Sequence, residues 1–267
     1  MILYLIRHGQ SANNQLGEDV RAEYGAFGED AYRTYMLSRT PEPELTGIGH
    51  KQAERLASWI AEARPKHRGG LDDPPEEELL AANITNRLGI TRLYTSPMLR
   101  TLQTTQPLAA ALGIRPKVWV DIHEHGGIFE RLPDGSSVGH PGLTRQEMAE
   151  RFPGYELDER VTDKGWWFGG EEDRPTCDAR AIRVAKELWR MAGELGDARI
   201  AAIAHGTFLD SLLTALLERL PGSGFHISHY NTGITRLDFT QSFEDGSPFL
   251  IVRYTNRVDH LPPELIT

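Results

Sequence analysis

Two short apolar runs near opposite ends of the chain each deliver a histidine followed by a glycine. Ile2-Leu3-Tyr4-Leu5-Ile6 leads into Arg7-His8-Gly9, and Ile200-Ala201-Ala202-Ile203-Ala204 leads into His205-Gly206. Runs of this length that stop at a turn residue read as strands. The second, apolar at every position, reads as a strand buried on both faces, as at the centre of a parallel sheet. In open α/β sheets reactive groups stand beyond the carboxyl ends of the strands, so both histidines are expected at one rim. A histidine between an arginine and a glycine suits phosphoryl chemistry. Neutral imidazole is a nucleophile, guanidinium binds phosphate oxygens bidentately, and glycine lets backbone N–H groups approach an anion. Taken alone, the tripeptide is equally compatible with a plain strand-to-turn transition.

The stretches between these runs read as alternating helices and strands. Thr46 caps a helix whose Ala53, Leu56, Ala57 and Ile60 recur at helical spacing, and residues 65–78 read as an exposed loop leading to a short helix. Arg92 to Thr95 reads as a strand, Ser96 as an N-cap and Pro97 as the first helical residue, which places Arg100 in the first turn. Helix N-termini present free N–H groups and a positive dipole end, so an arginine there can complete an anion site, although on its own it is also an ordinary solvated residue. Gly113 closes that helix, Lys117 to Val120 reads as a third strand, and Asp121 to Gly127 as the loop beyond it. A carboxyl at that strand end is a candidate proton donor, since an alkoxide leaves poorly from phosphorus unless protonated.

Further on, a helix from Thr176 carries Ala181, Val184, Ala185, Leu188 and Met191 on one face, and a helix is expected from Thr207 to Leu220. Gly233 to Phe239 and Phe249 to Tyr254 read as a hairpin. Val20, Tyr24, Phe27, Tyr32, Tyr35 and Met36 fall loosely at helical spacing in a segment expected to lie near the site entrance, their use read as packing rather than ligand contact. Residues 128–175 contain a Pro133-Asp134-Gly135 turn, a capping box at Thr144-Arg145-Gln146-Glu147 and the pair Trp166-Trp167, and read as a roof in which both tryptophans are buried.

A chain of 267 residues with 39% apolar content is ample for one large α/β domain. Dividing it between residues 7 and 206 would divide the expected rim. The net charge of −9, without any Lys/Arg run, argues against general nucleic-acid binding, so an anion must be held by a small local cluster. The single cysteine, Cys177, rules out an intramolecular disulfide framework and fits a reducing compartment. The first apolar run is too short for a signal peptide and no run reaches membrane-spanning length, so a cytoplasmic setting without membrane partners is expected.

Four pieces in order carry a resemblance. They are Arg7-His8-Gly9, Leu93-Tyr94-Thr95-Ser96-Pro97 with Arg100-Thr101-Leu102-Gln103-Thr104, Ile122-His123-Glu124-His125-Gly126, and His205-Gly206. Together they resemble the histidine phosphatase superfamily, which also holds the cofactor-dependent phosphoglycerate mutases. Leu45-Thr46, Gly49, Gln52-Ala53 and Asn256-Arg257, Asp259-His260-Leu261 extend the likeness, and residues 15–43, 64–90 and 127–175 are insertion-like within a single domain spanning 1–267. The resemblance implies a three-layer α/β sandwich with a mostly parallel central sheet, extended by the C-terminal antiparallel hairpin.

For function, the resemblance implies a phosphomonoester hydrolase that acts through a phosphohistidine on a small phosphorylated metabolite, with no metal and no cofactor. His8 would be the nucleophile, Arg7, Arg100 and His205 would hold the phosphoryl oxygens, and Ser11 and Asn14 match the phosphate-loop positions. Asn14 is open to a second reading as a helix cap only. Glu124 matches the acidic position, with Asp121 and Glu130 as rivals, and His123 and His125 read as loop or supporting residues. The main alternative is a phosphoglycerate mutase-type phosphotransferase, which shares these residues. A metal hydrolase using His8, His205 and Glu124 as ligands would have to bind a cation beside two arginines, and a decayed, non-catalytic member would be expected to lack one of His8, Arg100 or His205.

Overall fold

The computed structural model describes residues 1–62, 86–219 and 224–267. Its central sheet grows from the two runs noted above. Strand β1 (Ile2–Arg7) pairs in parallel with the strand Arg199–Ala204, here β6, in a register that sets Arg7 opposite Ala204. The residues that follow, His8 and His205, therefore leave the same edge side by side. Strands β2 (Arg92–Thr95) and β3 (Pro116–Val118) extend the parallel part, and β7 (Ile234–Gln241) and β8 (Pro248–Arg257) add an antiparallel pair, giving the order β3-β2-β6-β1-β7-β8. The expected sandwich with its C-terminal hairpin is the architecture observed.

Alternation along β1 sorts its side chains between two helical layers. Leu3 and Leu5 join a core with α6 (Arg174–Leu195) and α7 (Gly206–Leu216), through Ala181, Val184, Leu188, Phe208 and Leu212. Tyr4 and Ile6 face the other way, against α3 (Gly47–Ala61) and α4 (Leu99–Leu112), with Leu56, Ile60, Leu93 and Leu108. All six residues of β6 are buried, as a continuous apolar run requires. Burial on both faces fixes the height of the rim, because a shift by one residue would exchange the two cores.

A third core under the roof gathers Met98, Leu102, Val118, Ile128, Met148, Phe152 and Trp166. The roof includes a two-stranded ribbon, β4 (Phe129–Arg131) and β5 (Ser137–Gly139), turned at Gly135, and α5 (Arg145–Arg151) with the expected capping box at Thr144. The N-terminal insertion is indeed helical, as α1 (Ala12–Tyr24) and α2 (Glu29–Ser38).

Some expectations move. The N-cap of α4 is Met98, not Ser96, because the amide of Leu99 is taken by Glu42 Oε1 at 2.8 Å while Ser96 turns its hydroxyl toward His205. The third strand ends at Val118, and Val120–Ile122 forms a 3-10 turn that opens the loop carrying Glu124. Helix α7 ends at Leu216, and the expected extension to Leu220, like the loop and short helix expected over 65–78, reaches outside the described residues.

Candidate active site

At the carboxyl edge, β1 delivers Arg7 and His8 into a cleft of about 280 Å³ that is also lined by Ser11, Asn14, Arg100 and Glu124. His205 sits behind His8, fully buried, with ring centroids 5.2 Å apart. Of the positions singled out in the sequence, Asp121 and Glu130 stay outside the cleft. Asp121 pairs with Arg160 at 2.9 Å, and Glu130 lies 3.4 Å from His140.

His8 is oriented by its own backbone. Its Nδ1 lies 2.6 Å from the carbonyl oxygen of Gly9, a pure acceptor, so Nδ1 carries the proton and the lone pair is left on Nε2. That lone pair meets Arg100 Nε at 3.1 Å. Burial first, and then the charges of Arg100 and Arg7, hold the His8 imidazole well below its ordinary pKa, so the ring is neutral. His205 is held neutral by the same causes, burial leading, with Arg100 next. Its Nε2 is 2.8 Å from Ser96 Oγ, and its Nδ1 is sealed from solvent with no partner among the described residues.

Arg7 donates through Nη1 to the carbonyl of His229, and its Nε is likewise sealed and unpartnered. Glu124 is tied to the start of α7. Its Oε1 accepts from the backbone N–H groups of Phe208 (2.8 Å) and His125 (2.9 Å), and its Oε2 accepts from Thr207 at a longer 3.3 Å. The N-terminal amides of that helix thus position a carboxylate at the rim. Ser11 is the N-cap of α1 and Asn14 completes its capping box, its Oδ1 accepting from the Ser11 amide at 3.1 Å, while Asn14 also lines the cleft.

The glycine of the tripeptide has a different use from the one its chemistry suggested. The amide of Gly9 is committed to Thr104 Oγ1 (3.0 Å), that of Gln10 to Gln52 Oε1 (2.7 Å), and that of His8 to Ala204 O. These N–H groups do not form an anion cradle. Gly9 is required by contact instead: a Cβ there would stand 2.6 Å from Gly49 O, and one on Gly49 would stand 2.1 Å from Gln10 O. The His8 loop and the start of α3 touch backbone to backbone.

Several cleft and supporting residues carried no sequence signal. Asn231 Nδ2 donates to His8 O at 2.9 Å and to Asn14 Oδ1 at 3.2 Å, tying the loop to the segment before β7. Glu42, which bonds the Leu99 amide, keeps Oε2 sealed without a partner, and burial pushes its carboxyl up to about 7 against the pull of Arg100. Tyr32, Tyr35, Met36 and Arg39 form one wall of the cleft, so the aromatic stripe of the insertion faces the site rather than serving only for packing. His125 lines the cleft, whereas His123 is buried against Trp166 and Trp167. Trp166 is buried as expected, whereas Trp167 packs beside it only partly buried. The Glu124 loop is braced by Arg180, which donates to the carbonyls of Asp121 and His123 and forms a buried pair with Glu172. Among the described residues, no three His, Cys, Asp or Glu side chains gather as metal donors.

The histidine phosphatase superfamily (branch 1) profile matches residues 76–245, more than half of the sequence, and the chain belongs to that superfamily. The matched stretch holds Arg100, Glu124 and His205, with Arg7 and His8 ahead of it. The PE-PGRS family protein PE_PGRS11 of Mycobacterium tuberculosis is 30% identical over 126 residues, which is 46% of this chain and 18% of that protein. The chain thus spans less than a fifth of the length of that curated relative. Among solved structures, the fold is similar to phosphoserine phosphatase from Entamoeba histolytica (TM-score 0.52, 19% identity, 98% of this chain and 99% of that one). It is also similar to a mycobacterial glucosyl-3-phosphoglycerate phosphatase solved with VO3 (TM-score 0.51, 18% identity, 96% and 99%).

Proposed function

We propose that the chain hydrolyses small phosphomonoesters, without a metal, through a phosphorylated His8. The observation that carries this reading is the state of His8. It is neutral, its proton is locked on Nδ1 by Gly9 O, and its Nε2 lone pair lies within a cleft that also presents Arg7 and Arg100. Two guanidinium groups beside the nucleophile suit a phosphoryl dianion and oppose a cation in the same place.

In the first step Nε2 attacks phosphorus in line, the N–P bond forms, and the bond to the leaving oxygen breaks. Nδ1 keeps its proton against Gly9 O throughout. The guanidinium of Arg100, which meets Nε2 at rest, turns its donors to the equatorial oxygens with Arg7, whose sealed Nε has no other partner. Ser96 Oγ accepts from Met98 N (3.4 Å), which frees its proton for His205 Nε2 and leaves His205 Nδ1–H as a further donor. Ser11 and Asn14 complete the phosphate side of the cleft. Glu124 enters the step in its acid form, gives its proton through Oε2, the oxygen with the weaker backbone bond, to the leaving oxygen, and is left as the carboxylate. It then takes a proton from the water that displaces His8.

The test is turnover of p-nitrophenyl phosphate in excess chelator, with vanadate as inhibitor and a search for an acid-labile phosphoryl label on His8. Persistent, vanadate-sensitive turnover and a label on His8 are expected. Activity lost to the chelator and restored by zinc would overturn the metal-free mechanism. Phosphoryl exchange between phosphoglycerates that depends on 2,3-bisphosphoglycerate would mark the mutase alternative.

A further inference from the structure

The wall of the cleft opposite the rim holds a third arginine. Arg39, at the end of α2, places its guanidinium 4.5 Å over the ring of Phe129, a residue of the roof. A planar guanidinium laid on an aromatic face keeps its in-plane N–H groups free for a bidentate partner. Its Nε is sealed from solvent with no partner, and no carboxylate pairs with it among the described residues.

The acidic side chains of the cleft are already committed. Glu124 is held by three backbone amides, and Glu171 is paired in a fork with Arg131. Arg39 is also close enough to Arg100 to add to the effect of burial in lowering the basicity of that group. Glu42 and Glu124 offset part of the charge on Arg100, and Glu124 part of that on Arg7, whereas Arg39 has no carboxylate paired with it among the described residues. Arg7 and Arg100 suffice for the phosphoryl oxygens.

We propose that Arg39, on its Phe129 platform, forms a second anion subsite, so that the preferred substrates are phosphomonoesters whose leaving group bears a further oxyanion, a carboxylate or a second phosphate. The proposal rests on the phosphomonoesterase reading of the same cleft. It gives the N-terminal insertion and the roof one shared task, since Arg39 comes from the first and Phe129 from the second.

The test uses two substrate pairs that differ in one charged group. 3-Phosphoglycerate is set against glycerol 3-phosphate, and fructose 1,6-bisphosphate against fructose 6-phosphate. The wild type should prefer the anionic member of at least one pair by about 10- to 100-fold in kcat/KM, mostly through KM, the range of a charge-assisted hydrogen bond at a remote group. The pair that shows it identifies carboxylate or phosphate. Arg39→Met should bring the ratio within the pair to about threefold or less, and Arg39→Lys, which keeps the charge and loses the fork, should fall between.

A wild type without preference in either pair, or a preference that survives Arg39→Met, overturns the subsite. If no phosphomonoester, p-nitrophenyl phosphate included, is hydrolysed, the phosphomonoesterase reading fails separately. The same pairs are then compared by the rise in Tm that each compound gives. A rise confined to the anionic member and lost in Arg39→Met supports the subsite, and equal rises overturn it.

Discussion

The floor of the cleft and its mouth are built by different means. On the floor, Arg7, His8 and His205 follow directly from paired parallel strands whose register is fixed by two cores, and their polar contacts run mostly to backbone atoms, with Ser96 and Arg100 as the side-chain partners. At the mouth, Tyr35, Arg39, Phe129 and Glu171 come from insertions and meet through side chains: a stacked ring, a fork of carboxylate and guanidinium. Backbone-held groups are hard to move one at a time, whereas side-chain contacts can be exchanged singly. The floor is therefore expected to set the reaction and the mouth to set the leaving group, and substitutions should separate the two.

The largest effect belongs to the floor. His8→Ala removes the only atom proposed to bond phosphorus, so turnover of every phosphomonoester should fall by about 10⁴-fold or more, whatever the leaving group. Comparable residual rates on aryl and alkyl phosphates would agree with this. Retention of near-normal turnover in the variant would place the nucleophile elsewhere.

Next comes Glu124, which stands between floor and mouth on the amides of α7. Glu124→Gln should slow the single-turnover burst of an alkyl phosphate by about 10²- to 10⁴-fold and that of p-nitrophenyl phosphate far less, because p-nitrophenolate leaves without a proton. Equal burst rates of wild type and variant on the alkyl substrate would remove Glu124 from the role. Asp121 and Glu130, tied to Arg160 and His140, would then need the same comparison.

The floor was legible in the sequence because its signals are local. An apolar run ending in His-Gly, a Thr46 cap and a Gly113 stop each act within a few residues, and the structure keeps them all. Errors arose where a distant residue intervened. Glu42 shifts the start of α4 by taking the Leu99 amide, and Thr104 and Gln52 consume the N–H groups that the glycine was expected to offer to an anion. The mouth was not legible for the same reason. Arg39 looks like any surface arginine until Phe129, ninety positions later, comes to lie beneath it. Asn231 reaches His8 O only after β7 has paired with β1.

The neutral histidines of the floor also have a cost that pH exposes. His8 and His205 lie well below the ordinary value, and burial, as the leading cause, takes His123, His229 and His260 to about 4. In the unfolded chain all five titrate near the ordinary histidine value, so below it the unfolded state binds protons that the folded state refuses. Stability is then fully present well above about pH 6.5 and is lost progressively as pH falls toward 4, by about 1.4 kcal/mol per histidine at about pH 5.5. Glu42 works in the other direction, since its raised value favours the folded state as pH falls from 7, but one carboxyl opposes five imidazoles. Thermal unfolding between about pH 7 and pH 5 should show a falling Tm, and His260→Gln, at a histidine that does not line the cleft, should flatten the fall by its share. A Tm that holds constant over this range would show that the histidines are not held neutral.

The smallest effect tests the mouth alone. Phe129 is not assigned to any reacting group; its ring is the surface on which Arg39 lies and also packs on Gly126 of the Glu124 loop. Phe129→Leu keeps an apolar side chain in the roof but removes the ring face. A cation–π contact at a partly exposed site is worth about 0.5–1 kcal/mol, so the preference for an anionic leaving group should fall by about two- to fivefold. That loss should be smaller than the one in Arg39→Met, where the charge itself is gone. The burst rate on p-nitrophenyl phosphate serves as the control for damage that spreads to the floor. If Phe129→Leu erases the preference as completely as Arg39→Met, the platform is what holds the guanidinium in place, and charge without position binds nothing. If it changes nothing, Arg39 is positioned by its own helix end, and the roof has no part in choosing the leaving group.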